Sequence, residues 1–103
     1  MLTRMAGYVI ANVVWKDSES LSVYKRIMPP SVKKYGGRFL VRGGATEVLE
    51  GEWSPALVVI EFPTVEQARQ WYSSEEYRPA LDIRQRAADN ELLIVEGTSP
   101  AAL

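Results

Sequence analysis

The sequence predicts an α+β domain built on one four-stranded antiparallel sheet with helices on one face. Three observations predict it. Short apolar runs, "YVIANVVW" (8–15), "GRFLVRG" (37–43), "ALVVIEF" (56–62) and "NELLIVEG" (90–97), alternate with two segments of helical spacing. Residues that start helices stand immediately before those segments. The 103 residues are the size of one domain, taken as 1–103 with a core from about 7 to 97.

The first run is apolar almost throughout, the pattern of a strand covered on both faces, with Asn12 its lone polar residue. Asp17 or Ser18 then caps a helix whose Leu21, Tyr24, Ile27 and Met28 follow at helical spacing. Pro29 and Pro30 predict a kink or a restart before "SVKKY", and Gly36 and Gly37 a C-cap. "GRFLVRG" is the second strand. Gly43 and Gly44 break or bulge it, and "ATEVLEG" continues it or forms a hairpin arm, ahead of a turn at "GEWSP". After the third strand, "ALVVIEF", Thr64 with Gln67 forms a capping box at the head of "TVEQARQWYSS". Ser73 with Glu76 repeats it before "EEYRPALDIRQRAA", a helix broken near Pro79. "NELLIVEG" is the last strand, and "TSPAAL" a frayed tail.

This order is the split βαβ, or ferredoxin-like, plan, whose sheet carries helices on one face only. Yet the strands read as apolar on both faces. A bare apolar sheet face is a sticky patch unless a second copy covers it, so the sequence predicts a homodimer packed sheet to sheet.

Composition excludes several functions. The net charge is −1, from 12 basic and 13 acidic residues with no run of one sign, so no basic stripe invites nucleic acid. The apolar runs are too short to span a bilayer and the N-terminus lacks a signal-peptide layout, so the expected location is the cytoplasm. The absence of Cys removes thiolate nucleophiles and thiolate metal sites; the absence of His removes imidazole ligands and Ser-His-Asp triads. No metal or cofactor is implied. Catalysis by side chains would fall to carboxylates, Arg, Lys, Tyr or Ser.

The element order together with "YGGRFLVRGG", "LEGEW", "VVIEFPT", "A..WYSSEEY" and the closing "VEG" resembles the DUF1330 family, over about Tyr8 to Gly97. The resemblance implies a ferredoxin-like protomer that dimerises through its sheet into a dimeric α/β barrel. It implies no established activity. Superfamily relatives include cofactor-free monooxygenases, muconolactone isomerase and haem-dependent chlorite dismutase, a spread that keeps fold from deciding function.

Side chains alternate along a strand, which puts Arg38, Leu40 and Arg42 on one face and Phe39 and Val41 on the other. In the third strand Val58, Ile60 and Phe62 form the apolar set opposite Glu61. If the apolar sets face the helices, Arg38, Arg42 and Glu61 point together toward the dimer side or the barrel mouth. There they form either an interfacial ion pair or a site in which arginines hold a small carboxylate and Glu61 moves a proton. Asn12 is either a backbone-satisfied amide or a ligand contact. Trp71, Tyr72 and Tyr77, with Tyr24 and Tyr35 on the first helix, are either core or interface or frame a pocket between helices and sheet, lined by Trp71 and a Tyr hydroxyl with Arg84 at its lip. Two functions remain open: a homodimer that binds a small anionic organic molecule, with a cofactor-independent isomerase or oxygenase as its catalytic form, and a non-catalytic interaction module.

Overall fold

The computed structural model describes residues 5–99 and contains β1 (Gly7–Trp15), α1 (Ser18–Lys34), β2 (Arg38–Arg42), β3 (Leu57–Phe62), α2 (Val65–Tyr72), α3 (Arg78–Ala87) and β4 (Ala88–Glu96). The strands form one sheet in the order β2-β3-β1-β4 with every neighbouring pair antiparallel, the ferredoxin-like arrangement. Of the tail, Thr98 and Ser99 carry no regular structure, and residues 100–103 lie outside the described residues.

Alternation along β1 divides the molecule. Val9, Ala11 and Val13 point to the helices and are buried with Ile60 and Phe62 of β3. Against them pack Tyr24, Met28 and Val32 of α1, Ala68 and Trp71 of α2, Tyr77, and Ala80 of α3. The opposite, outer face carries Ile10, Val14, Val59, Leu93 and Val95, paired across β1, β3 and β4. Val14, Leu93 and Val95 are exposed there, so among the described residues nothing covers them. Among the described residues no helix is long and apolar enough to cross a membrane.

The caps follow local chemistry. Asp17 accepts from the Ser20 amide at 2.7 Å, and Thr64 from the Gln67 amide at 3.1 Å. The Gln67 side chain donates to the Tyr35 carbonyl at 3.2 Å, tying the start of α2 to the end of α1. Gly36, at φ +81, ends α1 with the Gly36 and Gly37 amides bonded to Lys33 and Val32.

Four local expectations change. First, α1 runs through Pro29 and Pro30 as a single helix, so the chain does not restart before "SVKKY". The carbonyls these prolines leave without a helical donor are those of Lys25 and Arg26, exposed residues within reach of water. Second, Ser73 does not cap the last helix: Ser74 accepts from the Tyr77 amide at 3.1 Å, and Pro79 stands in the first turn, where its missing N–H costs nothing. Glu76 is drawn instead to Lys34 and Tyr35.

Third, "ATEVLEG" is neither a continuation nor a hairpin arm; residues 43–56 form an irregular connection with Leu49 and Trp53 exposed. Gly43 and Gly51, both at positive φ, turn the chain away from the sheet edge. Fourth, the bulge lies inside β2. Arg38 and Phe39 pair with Glu61 and Ile60, but Val41 and Arg42 pair with Val59 and Val58, leaving Leu40 as the extra residue. One extra residue reverses the faces beyond it, so Arg38 and Arg42 are on opposite sides of the sheet.

Candidate functional site

Between the inner sheet face and the helices lies a cavity of about 480 Å³. Val9, Ala11 and Val13 floor it, α1 contributes Leu21, Tyr24 and Met28, and Trp71 of α2 and Arg84 of α3 close its depth. Its lining holds three cations, Lys25, Arg42 and Arg84, and no carboxylate.

Arg84 is the deep cation, 3 % exposed. Its Nε donates to the Tyr77 hydroxyl at 3.2 Å, and that hydroxyl lies 2.8 Å from the hydroxyl of Tyr24. Among the described residues the ion pairs are Lys16–Asp89, Lys34–Glu76, Arg38–Glu61 and Arg69–Glu66; Arg84 belongs to none. Burial opposes its charge, yet the phenolic oxygens of Tyr77, Tyr24 and Tyr72 outweigh that and raise its pKa. Burial first, then the neighbouring Tyr77 oxygen, pushes the Tyr24 phenol far up, so it stays protonated. A guanidinium taken out of water without an anion is costly, and the cavity beside it is where an anion would fit.

The aromatic residues frame this group. Trp71 stacks on Tyr77 at 4.1 Å between ring centroids and meets Phe62 at 5.5 Å. Its indole N–H is spent on Ser31 Oγ at 3.0 Å, and Ser31 in turn donates to the Met28 carbonyl at 2.6 Å, so Trp71 offers the cavity an apolar surface. Trp15 packs on Tyr24 at 4.9 Å. Arg42 lies at the mouth, its guanidinium 4.5 Å above the Phe39 ring, a cation–π contact that holds it on the inner face.

The residues singled out from the sequence therefore separate into two groups. Arg42, Trp71, Tyr77 and Arg84 gather in or behind the cavity, with Arg84 deep inside rather than at the lip. Tyr72 stands behind Trp71, half-buried. Arg38 and Glu61 occupy the outer face, away from the cavity: Arg38 Nε donates to Glu61 at 2.7 Å and the Tyr8 hydroxyl donates to the same carboxylate at 3.0 Å. The bond from Arg38, then that from Tyr8, holds the Glu61 carboxyl below its usual range. The expected meeting of Arg38, Arg42 and Glu61 thus fails at Arg42, because of the bulge at Leu40. Asn12 is also on the outer face, opposite Leu57 and Glu91; its Oδ1 is buried and, among the described residues, bonded to neither backbone nor side chain.

The sequence places Tyr24 at an apolar position of α1 and in the aromatic cluster with Trp71, Tyr72 and Tyr77, but nothing in it pairs the Tyr24 hydroxyl with that of Tyr77, 53 residues away.

Solved structures share this fold. A protein of unknown function from Rhodopseudomonas palustris superimposes with a TM-score of 0.73 at 21% identity, over 94% of this chain and 85% of that one. A protein from Nitrosomonas europaea, provisionally described as an antibiotic biosynthesis monooxygenase, gives 0.58 at 13% identity, over 97% and 96%. A dimeric ferredoxin-like protein of unknown function from Thermobifida fusca gives 0.55 at 17% identity, over 93% and 94%. At such identities the likeness is one of fold. A comparison with curated proteins returns no match. The sequence itself matches the model of a domain of unknown function over residues 6–98, and the chain belongs to that family, DUF1330.

Proposed function

We propose that this protein binds a small organic anion, apolar over most of its surface with one carboxylate or enolate-like end, and works as a homodimer joined through the outer sheet faces. One observation carries the binding reading: Arg84, 3 % exposed and paired with no carboxylate among the described residues, lines an apolar cavity of about 480 Å³. That volume falls within the usual range for small-molecule sites, roughly 300–1,000 Å³. Arg42 and Lys25 at the mouth extend the positive lining, which favours entry of an anion.

Two features of the outer face support the dimer. Leu93 and Val95 expose neighbouring apolar surface, Val14 adds more further along β1, and the buried Asn12 Oδ1 has no donor among the described residues. A second copy would cover the first and could supply the second. The Thermobifida fusca neighbour, described as dimeric, is in keeping with this.

In this reading Arg84 and Arg42 bind, and Glu61 with Arg38 belongs to the dimer face. Holding an enolate is also what a cofactor-independent isomerase or oxygenase requires, and the Nitrosomonas europaea neighbour is described as a monooxygenase. Calorimetric titration with cinnamate tests the binding. Wild type should bind it, and Arg84→Met should weaken it tenfold or more, as expected from loss of a hydrogen bond to a charged group at about 1.5–3 kcal/mol. Equal affinity in the variant would remove Arg84 as the anchor.

A further inference from the structure

The chemistry of the donors gives the hydrogen bonds around Arg84 a direction. A guanidinium only donates, so its Nε makes the Tyr77 oxygen an acceptor. Tyr77 is fully buried, and the Tyr24 oxygen at 2.8 Å is the other hydrogen-bond partner of its hydroxyl among the described residues. Either direction of the Tyr77–Tyr24 bond leaves one hydroxyl proton spare, at a cost of about 1–3 kcal/mol where nothing can accept it. Tyr77 is fully enclosed whereas Tyr24 lines the cavity, so the spare proton belongs on Tyr24 and Tyr77 is the donor. The Tyr24 oxygen is then an acceptor, as it also is toward the Arg84 guanidinium, and its own proton has no accepting protein partner among the described residues. Tyr24 lines the cavity.

We propose that Arg84, Tyr77 and Tyr24 form a one-way donor chain that ends in a Tyr24 O–H aimed into the cavity, where it recognises the anionic oxygen of the ligand. The proposal rests on the anion-binding reading above and adds to it the residue that selects the ligand's acceptor group. Trp71 cannot do this, since its N–H is engaged by Ser31. Within the depth of the site Tyr24 and Arg84 are thus the donors, one a neutral hydroxyl and one a cation. Their combination suits a carboxylate or an enolate in which one oxygen takes the hydroxyl and the charge rests against the guanidinium, while Trp15, Trp71 and the strand side chains enclose an apolar, ring-sized body. Tyr77 touches no ligand and acts as a positioning residue. A donor chain of this kind is cooperative, each bond polarising the next.

The test compares cinnamate with its neutral analogue cinnamamide in wild type, Tyr24→Phe, Tyr77→Phe and the double variant. Tyr24→Phe should weaken cinnamate about tenfold. Tyr77→Phe should weaken it comparably although its ring lies outside the cavity, the double variant should be no worse than the poorer single one, and the preference for cinnamate over cinnamamide should narrow in all three. Should Tyr77→Phe fail to fold, the Tyr24 hydroxyl proton of the wild type, followed by NMR, should move downfield when cinnamate is added. Cinnamate affinity unchanged in Tyr24→Phe, or a Tyr24 proton indifferent to cinnamate, overturns the chain while leaving an Arg84-dependent pocket standing. Wild type that binds neither probe overturns the pocket and the chain together.

Discussion

Arg38 and Arg42, separated by three residues on one strand, lie on opposite faces of the sheet, because Leu40 between them has no partner on β3. Arg38 joins Glu61 and Tyr8 on the outer face; Arg42 rests on Phe39 at the mouth of the cavity. The two arginines should therefore fail differently. Arg42→Ala should weaken cinnamate several-fold and leave self-association unchanged. Arg38→Ala should leave cinnamate binding intact and loosen the dimer, as read by sedimentation velocity. Matching phenotypes would mean that the bulge does not separate their roles.

The outer face gives a second expectation. Leu93, 52 % exposed, sits opposite Ile10 on that face, and a carboxylate placed there would have to be buried in any sheet-to-sheet dimer. Leu93→Asp should yield a folded monomer. An unchanged sedimentation coefficient would take the sheet face out of the interface.

Arg84 tests the cost of preparing a site. A buried cation without a partner destabilises the empty protein, and an apolar replacement of similar length removes that cost. Without ligand, Arg84→Met should melt at or above the wild-type temperature while losing cinnamate binding. A large fall in melting temperature would make Arg84 chiefly a structural residue.

Acid sensitivity should trace to the contact between α1 and the segment before α3. The bonds from Lys34 and then Tyr35 lower the Glu76 pKa from 4.5 to about 2. A carboxyl with a depressed folded pKa stabilises fully above its unfolded pKa and loses that contribution as pH falls toward the folded value. The melting-temperature difference between wild type and Glu76→Gln should therefore be constant above about pH 5 and shrink between about 4.5 and 2. A difference independent of pH would show that the ion pair contributes nothing to stability.

Packing makes a contrast between two glycines. A Cβ on Gly37 would come within 2.7 Å of both the Phe62 ring and Val32, neither of which has room to yield. One on Gly44 would meet nothing within 4 Å. Gly37→Ala should cost about 2 kcal/mol in chemical denaturation, an overpacking penalty, and Gly44→Ala within about 0.5 kcal/mol of zero.

Much of this architecture is written locally. The β-branched runs at 8–15 and 56–62, the caps at Asp17 and Thr64 and the left-handed Gly36 are decided by neighbours a few residues away, so the sequence by itself determined the order of the elements and the two-faced sheet. The absence of His and Cys likewise narrows side-chain chemistry to carboxylates, Arg, Lys, Tyr or Ser. The tertiary structure decided what depends on register and on distant partners. Whether Arg42 faced Glu61 or the cavity turned on a single unpaired residue, which alternation cannot foresee because a bulge is defined by the strand opposite. Tyr24 comes from α1, Tyr77 from the turn between α2 and α3, and Arg84 from α3, each reading as core or surface within its own segment; only packing across the sheet's inner face brought two hydroxyls and a guanidinium into one buried chain.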